Sequence, residues 1–314
     1  MTAESAPHIA VLGAGAVGCY FGGMLARAGV PVTLIGRVRH VDAIERDGLF
    51  FDGLHFQQQI PVAATTEIQV ARDAAIVLFC VKTLDTEDAA KALLPYLAPG
   101  AVIVSMQNGV DNVSRIRSAA GIEAIPAVVY VAAAMTAPGR VKHSGRGDLV
   151  IGDVWGNHRL RQSLTGIAAL FENAGVSCRV SENVVGELWT KMIINCAYNA
   201  ISALGRARYG VLARQPETRA LMRTVTEEAL AVARAGGVRL PDIDMLEAVW
   251  RIADAMSEAT SSTAQDISRG NPTEIDSLNG YLVRRGAELG VPTPVNQTLH
   301  ALVKLLESDL APNT

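Results

Sequence analysis

The feature that most constrains the fold of this chain is a glycine-rich loop close to its beginning. The apolar run Ile9–Leu12 leads into this loop, and a helical pattern follows over Val17–Ala28. The loop consists of Gly13, Ala14, Gly15, Ala16, Val17 and Gly18. The pattern G-x-G-x-x-G between a strand and a helix is typical of dinucleotide binding: the glycines permit the tight turn, the approach to a pyrophosphate and the helix–strand packing. A glycine-rich turn without a ligand is the alternative interpretation.

The first half of the chain alternates short apolar runs with helical stretches such as Thr86–Leu97. After Ile9–Leu12, the runs are Val32–Ile35, Ala75–Val81, Ala101–Ser105, Ala124–Ala133 and Leu149–Ile151. Strands alternating with helices indicate an α/β domain of Rossmann type with a mostly parallel sheet. Because the runs are continuously apolar, we expect their strands to be buried on both faces.

The second half is predicted to be an all-α domain. We expect helices over Glu182–Leu204, Glu217–Ala235, Pro241–Ala264, Pro272–Leu289 and Pro294–Asp309. Three of them begin with proline, which favours the first helical position, and Gly236, Gly237 and Gly290 fit helix ends. The predicted domains are 1–181 and 182–314, packed closely around one cleft.

Composition excludes several classes of protein. The 314 residues carry a formal net charge of −3 without a basic block, which argues against nucleic-acid binding. No apolar run approaches the length of a membrane span, and the start MTAESAPH lacks the features of a signal peptide. The four cysteines are scattered, so neither a metal site nor a disulfide framework is expected. These features predict a soluble cytoplasmic protein, and the apolar helices of the second half are compatible with a homodimer.

The end of the second predicted strand indicates which dinucleotide binds. An NAD site usually has an acidic residue there, whereas this chain has Arg37, followed by Arg39 and His40. The planar guanidinium group suits a 2′-phosphate because it can donate two parallel hydrogen bonds. The sequence therefore favours NADP(H), with an ordinary solvated basic turn as the alternative.

Two further polar residues follow predicted strands. Lys82 ends the run Ala75–Val81, and Asn108 comes shortly after Ala101–Ser105. Ligands of open α/β sheets bind beyond the carboxyl ends of the strands, so both residues are candidates for the site. A solvated loop lysine and a simple Asn-Gly turn are the alternatives.

The predicted helix Glu182–Leu204 carries a polar stripe on an otherwise apolar surface. Lys191, Asn195 and Asn199 recur every four residues and therefore share one face. Burial of an unpartnered lysine is costly, so this face should line a polar cleft, where the lysine can donate a proton to an oxygen. The alternative is an exposed stripe with a surface pair between Glu187 and Lys191.

One glutamate has two readings from the residues alone. Asn271, Pro272 and Glu274 fit a helix cap, a first helical residue and the third position of a capping box. On this pattern alone, the capping role of Glu274 is preferred to a catalytic role.

Taken together, these residues resemble the ketopantoate reductase (2-dehydropantoate 2-reductase) family over nearly the whole chain. The matching pieces are the glycine loop, Lys82 in CVKT, Asn108 in QNGV, ELWTKMIINC and SSTAQDISRGNPTEIDSLNG. The last two are quite specific to the family. The resemblance implies NADPH-dependent reduction of 2-dehydropantoate to pantoate, in pantothenate biosynthesis.

The resemblance also implies roles for individual residues. Lys191 matches the proton donor to the substrate carbonyl, and Asn108 a residue that touches both cofactor and substrate. Substrate binding is implied for Asn195, Asn199 and Ser262. Cofactor binding is implied for Arg37 at the 2′-phosphate, Glu274 beside the nicotinamide and Gly145 through its backbone, with Lys82 placed in the same group.

The chain departs from the family at one substrate position. Where the family can offer a further asparagine, the aligned residue is Tyr209, with Arg206 and Arg208 nearby. Two other functions therefore stand beside the first: an NADP-dependent reductase of another 2-oxo acid, similar to β-hydroxyacid or opine dehydrogenases, and a non-catalytic NADPH-sensing protein. A sensor would have no need of a proton donor.

Overall fold

The computed structural model describes residues 6–309, and the chain divides into two compact units, residues 1–184 and 185–314. The first unit is built on one large sheet. Its strands are β1 Ile9–Leu12, β2 Val32–Ile35, β3 Leu49–Asp52, β4 Gln57–Ile60, β5 Ala63–Thr65, β6 Ile76–Phe79, β7 Val102–Ser105, β8 Ile125–Ala137, β9 Arg140–Ile151 and β10 Cys178–Val180.

The strand order explains why the central strands are so apolar. The sheet runs β4-β3-β9-β8-β7-β6-β1-β2-β5, and β10 pairs with β9. All pairs are parallel except β3–β4 and β8–β9. Every residue of β1, β6 and β7 is buried, because both faces of these strands are covered. The predicted α/β class with a mostly parallel sheet is confirmed.

Within residues 6–183, five α-helices accompany the sheet. They are α1 Ala16–Arg27, α2 Val38–Asp47, α3 Thr86–Leu93, α4 Asn112–Ala120 and α5 His158–Asn173. One core cluster joins Phe21 of α1 and Phe171 of α5 to β1 and β8, and Ile116 of α4 belongs to the cluster on the other face of the sheet.

The sequence pattern missed several of these elements. Strand β4 contributes three exposed glutamines and a single buried isoleucine, so it lacks the apolar run expected of a buried strand. The predicted strand Ala124–Ala133 extends to Ala137, and Leu149–Ile151 is only the end of β9, which begins at Arg140. The added residues are largely polar or half-exposed, and antiparallel main-chain pairing holds them in the β8–β9 hairpin.

The second unit contains only helices within residues 185–309, together with one 3₁₀ turn, Ile275–Ser277. Its helices are α6 Val184–Gly205, α7 Tyr209–Arg214, α8 Pro216–Ala235, α9 Met245–Ala255, α10 Ser262–Ser268, α11 Asn279–Leu289 and α12 Pro294–Ser308. Helix α6 begins at the last residue of the first unit. In the part of the chain that the structure describes, no helix is long and apolar enough to cross a bilayer.

The predicted helix Pro241–Ala264 is wrong. Asp244 caps α9 by accepting a hydrogen bond from the Glu247 backbone N–H, so the helix begins at Met245 and Pro241 lies outside it. The chain then leaves the helix after Ala255, and Ser261 caps the separate helix α10. Two local caps therefore override the continuous apolar pattern.

The predicted helix Pro272–Leu289 is also wrong, and with it the capping box at Asn271. Pro272 is not helical, and Leu278 interrupts the segment with φ −111° and ψ −103° before α11. The reason is tertiary: Glu307 of α12 accepts a hydrogen bond of 2.7 Å from the Thr273 backbone N–H. Of the three proline starts, only Pro294 holds a first-turn position.

A buried polar chain joins four helices of the second unit. Glu228 of α8 accepts hydrogen bonds from the backbone N–H groups of Val295 and Asn296 and from the Asn296 side chain. Asn296 in turn accepts from Asn279, which also donates to the carbonyl oxygen of Cys196 on α6. Glu228 therefore caps the N-terminus of α12 from a distance and helps to fix α6 in place.

We predict that Glu228→Ala lowers the free energy of unfolding by roughly 3 kcal/mol, because it leaves buried N–H groups without an acceptor. Chemical denaturation measures the change. The matched control is Glu227→Ala, since Glu227 is exposed on the same helix and its removal should change stability by less than about 0.5 kcal/mol. Equal effects of the two substitutions would contradict the role of Glu228 as the cap of α12.

Candidate active site

The glycine loop lies at the carboxyl edge of the central strands. Strand β1 is paired in register with β2 and β6 up to Leu12, so the loop follows directly at the sheet edge. The backbone N–H groups of Gly13 and Ala14 both donate to the Ile35 carbonyl oxygen, at 3.0 and 2.9 Å. Gly13 has φ +113°, and a Cβ there would lie 2.7 Å from the Cys80 carbonyl carbon. Only glycine therefore fits the turn.

The other two glycines serve different purposes. A Cβ on Gly18 would lie 2.1 Å from the Gly13 carbonyl oxygen, so this glycine allows the helix to pack closely on the loop. A Cβ on Gly15 would meet no protein atom within 4 Å, which leaves open space at the N-terminus of α1. The first turn of α1 contains no acidic residue, and its N–H groups point out of the helix. This arrangement fits a pyrophosphate group.

Two arginines lie just beyond the end of the neighbouring strand, β2. Arg37 is the N-cap residue of α2, directly beyond β2, and both Arg37 and Arg39 are exposed. Burial of its ring lowers the pKa of His40, and the charges of Arg39 and Arg37 lower it further. Both guanidinium groups act electrostatically on the same ring, and they are candidates for an anion site at this strand end.

Lys82 and Asn108 follow the next two strand ends. Strands β6 and β7 are paired up to Phe79 and Ser105, so the loops after them share the edge that carries Gly13 and Arg37. Lys82 is exposed, and Asn108 is half-buried, with its carbonyl oxygen accepting a 2.6 Å hydrogen bond from the Asn112 side chain. The structure therefore brings four of the predicted cofactor positions to one edge of the sheet.

Gly145 lies elsewhere in the first unit, on β9 opposite Ala132 of β8. Strand β9 nevertheless contacts α1, the helix that follows the glycine loop. The centroid of the Tyr20 ring on α1 lies 4.6 Å from the centroid of the His143 ring on β9. A Cβ on Gly147 would lie 2.0 Å from the Tyr20 hydroxyl oxygen, so this part of β9 packs directly on α1.

The polar stripe of α6 lies on a largely buried helix, as the sequence predicts. Lys191 and Asn195 are half-buried, whereas Asn199 is only 3% exposed. The Asn199 side-chain amide donates to the Ser262 hydroxyl oxygen at 3.3 Å, and the Ser261 hydroxyl donates to the Asn199 carbonyl oxygen at 3.0 Å. Two predicted substrate residues, 63 positions apart, are thus in direct contact.

Glu274 is half-buried and immediately precedes the 3₁₀ turn Ile275–Ser277. Helix α12 holds its neighbours: Glu307 binds Thr273, and His300 and Lys304 donate to the Asp276 carboxylate. Burial opposes ionisation of Asp276, but these hydrogen bonds and the nearby positive charge outweigh it and lower its pKa. Anchors on both sides therefore fix the backbone around Glu274.

Tyr209, the residue that departs from the family pattern, begins α7. Its ring lies 4.4 Å from that of Tyr198, and its backbone N–H donates to the Ala259 carbonyl oxygen. Burial raises the pKa of Tyr209 well above the ordinary range, so the side chain is a neutral aromatic group at physiological pH.

One buried polar residue at the edge of the sheet, Gln107, is not among the candidates that the sequence indicates. Gln107, directly before Asn108, is 5% exposed and hydrogen-bonded to the loop that carries Lys82. A polar residue between an apolar strand and an Asn-Gly turn was the available signal, but the sequence alone does not show that its side chain turns inward. Within residues 6–309, no three His, Cys, Asp or Glu side chains are grouped so as to hold a metal ion.

The two units define a class of protein: nicotinamide-dependent oxidoreductases in which a Rossmann-type domain precedes a helical domain with a lysine–asparagine face. The family model described as ketopantoate reductase PanE/ApbA matches residues 9–156, and the model of its C-terminal domain matches residues 183–307. The chain belongs to the ketopantoate reductase family.

Individual proteins of known sequence or structure agree with this assignment. The 2-dehydropantoate 2-reductase of Pyrococcus horikoshii is 34% identical over 300 residues, covering 96% of this chain and 97% of the relative. The crystal structure of a PanE/ApbA family ketopantoate reductase from Ralstonia eutropha is 50% identical, with TM-score 0.90 and coverage of 96% and 99%. A dimeric ketopantoate reductase from Staphylococcus aureus matches at 25% identity and TM-score 0.78, with coverage of 97% and 100%.

The geometry of Gly15 generates a prediction about NADPH, the dinucleotide that the sequence favours. Gly15→Ala should change the free energy of unfolding by less than about 1 kcal/mol. The methyl group meets no protein atom, and the lower unfolded-state entropy offsets the poorer N-cap. The substitution should weaken NADPH binding by about tenfold or more, equivalent to about 1.4 kcal/mol, because the methyl group occupies the phosphate position. Thermal unfolding and a fluorescence titration measure the two effects.

The control is Gly166→Ala, at an exposed glycine of α5 where a Cβ also meets no atom. It should leave NADPH binding unchanged. Undiminished affinity in Gly15→Ala would show that no phosphate lies at this loop.

Proposed function

We propose that this chain catalyses the NADPH-dependent reduction of 2-dehydropantoate to pantoate. The observation that carries the proposal is that the two ketopantoate reductase models match consecutive parts of the chain, one for each unit. The shared name of the curated relatives favours ketopantoate over the other 2-oxo acids that the sequence had left open.

The first unit carries the residues proposed to bind the phosphate groups of the cofactor. Its glycine loop, Gly13–Gly18, holds the pyrophosphate through backbone N–H groups at the start of α1. Arg37 binds the 2′-phosphate, and Lys82, Asn108 and Gly145 contribute further contacts. The proposed role of Glu274 is a contact with the nicotinamide. When bound, NADPH supplies the hydride that reduces C2 of the substrate.

Lys191 is the proposed general acid. Its ammonium group donates a proton from Nζ to the ketone oxygen of the substrate, which becomes the hydroxyl oxygen of pantoate. A positive charge at this position also stabilises the negative charge that develops on the oxygen, which supports the choice of lysine over a neutral donor.

The remaining polar residues orient the substrate. Asn195 lies one turn beyond Lys191 on the same face of α6, and Asn199 lies one turn further. The hydrogen bond from Asn199 to Ser262 holds α10 against α6, so the two groups present a fixed pair to the substrate. The proposed role of Asn108 is a contact with both cofactor and substrate.

The proposal includes a homodimer. Its support is the dimeric relative from Staphylococcus aureus. Sedimentation velocity of the purified protein distinguishes the dimer from a monomer.

The proposed activity is tested directly with purified protein. We expect oxidation of NADPH with ketopantoate at a kcat/KM at least about tenfold higher than with pyruvate or with bulkier 2-oxo acids, because one or two well-placed contacts discriminate by this amount. The decrease in NADPH absorbance measures the rate. A higher kcat/KM for another 2-oxo acid would contradict the substrate, and a higher efficiency with NADH than with NADPH would contradict the cofactor.

We expect Lys191→Ala to reduce kcat by about 10²–10⁴-fold, the usual contribution of a general acid. The NADPH dissociation constant should stay within about twofold of the wild-type value, since the lysine acts on the substrate oxygen and not on the phosphates. Lys91→Ala removes an exposed lysine of α3 and serves as the control with unchanged kcat. Turnover near the wild-type rate in Lys191→Ala would exclude this residue as the acid.

A further inference from the structure

Gln107 is a buried amide that connects the ends of two neighbouring strands. Its Nε2 group donates to the Val81 carbonyl oxygen at 3.1 Å and to the Thr86 hydroxyl oxygen at 2.8 Å. Its Oε1 atom accepts from the Ser105 hydroxyl at 3.0 Å. The side chain therefore spans from the end of β7 to the loop after β6 with both N–H groups and its oxygen in use.

The orientation of this amide follows from its partners. The Val81 carbonyl oxygen is only an acceptor, so the nitrogen of Gln107 must face it. Ser105 is then left to donate to the oxygen. Ser105 and Thr86 are buried as well, so water does not compete for these hydrogen bonds.

The partners of Gln107 lie on both sides of Lys82. Gln107 holds the carbonyl oxygen of Val81, the residue before it. The Thr86 hydroxyl and the Arg115 guanidinium group hold the carbonyl oxygen of Thr83, the residue after it, at 2.9 and 2.8 Å. The main chain at Lys82 is thus fixed on both sides, and Gln107 supplies the anchor on the side nearer the sheet.

Gln107 is also joined covalently to Asn108. One side chain therefore sets the position of Lys82 through a hydrogen bond and that of Asn108 through the backbone. Substitution of the amide would change the spacing between these two residues, although it would remove neither of them.

We propose that Gln107 is a positioning residue that sets the distance between Lys82 and Asn108 for binding of the nicotinamide dinucleotide. The inference rests on the proposed function. It adds a role for a buried side chain that acts through its hydrogen bonds to the neighbouring loop.

The test compares Gln107→Glu with the wild-type protein, with NADPH binding measured by fluorescence titration in the absence of substrate. The glutamate has nearly the same shape, but its carboxylate has no proton to donate to the Val81 carbonyl oxygen. We expect NADPH binding about tenfold weaker at pH 8, as the loss of buried hydrogen bonds predicts.

The pH dependence of NADPH binding tests whether the lost hydrogen bond causes the weaker affinity. Burial raises the pKa of a carboxyl group, and the protonated form can again donate one hydrogen bond. The ratio of variant to wild-type dissociation constants should therefore decrease as the pH is lowered from 8 to 6. A buried carboxylate also lowers stability until it is protonated, so thermal unfolding at each pH shows whether the variant is folded in each titration.

Two further variants complete the test. Thr86→Val removes the hydroxyl that accepts from Gln107 and donates to the Thr83 carbonyl oxygen, so it should also weaken NADPH binding. It replaces Gln107→Glu in the test if that variant does not fold. Ile167→Val removes one buried methyl group on α5 of the same unit and should lower the thermal stability without changing NADPH affinity.

NADPH dissociation constants within about twofold of wild type for Gln107→Glu at pH 8, or for Thr86→Val if that variant alone folds, would overturn the inference. If the wild-type protein itself neither binds NADPH nor reduces ketopantoate, the proposed function fails instead. The two failures are therefore distinguishable in one series of titrations.

Discussion

The arrangement of the first unit depends on main-chain hydrogen bonds that extend the sheet beyond its strand ends. The Ile35 carbonyl oxygen accepts from both Gly13 and Ala14, and the same pattern recurs where Cys80 donates to Leu12. These bonds bring the glycine loop within contact of the Cys80 backbone, which leaves no room for a side chain at Gly13. The loops after β1, β2, β6 and β7 therefore begin from one rigid edge. The loop after β1 presents backbone N–H groups there, and the other three carry Arg37, Lys82 and Asn108.

In the second unit, buried polar side chains fix the positions of the helices. Glu228, Asn296 and Asn279 form a continuous chain of hydrogen bonds that ends on the backbone of α6. Buried hydrogen bonds of this kind are strong because their surroundings have a low dielectric constant, although the Asn279 side-chain oxygen has no hydrogen-bond partner among residues 6–309. The Lys191 face of α6 thus depends on residues that have no part in the chemistry.

The residues proposed for the reaction are held in place by these two kinds of hydrogen bond, main-chain bonds in the first unit and buried side-chain bonds in the second. Residues that bind phosphate are held by main chain at the sheet edge, where N–H groups can approach an anion directly. The proposed proton donor and the proposed substrate residues Asn195, Asn199 and Ser262 are side chains on helices, where rotamers are restricted by packing. Gln107 belongs to neither group, because it is a buried side chain that positions main chain at the sheet edge.

The sequence by itself determined the α/β class, the glycine loop, the apolar central strands and the polar stripe of α6, because each follows from local spacing. It also indicated the family, through motifs that are contiguous in the chain. The exposed strand β4, the break at Leu278 and the interruption after Ala255 were decided by tertiary structure, since they depend on partners or caps that override the hydrophobic pattern. The contact of Asn199 with Ser262 and the inward turn of Gln107 were decided in the same way, because hydrogen bonds between residues distant in sequence leave no periodic signal.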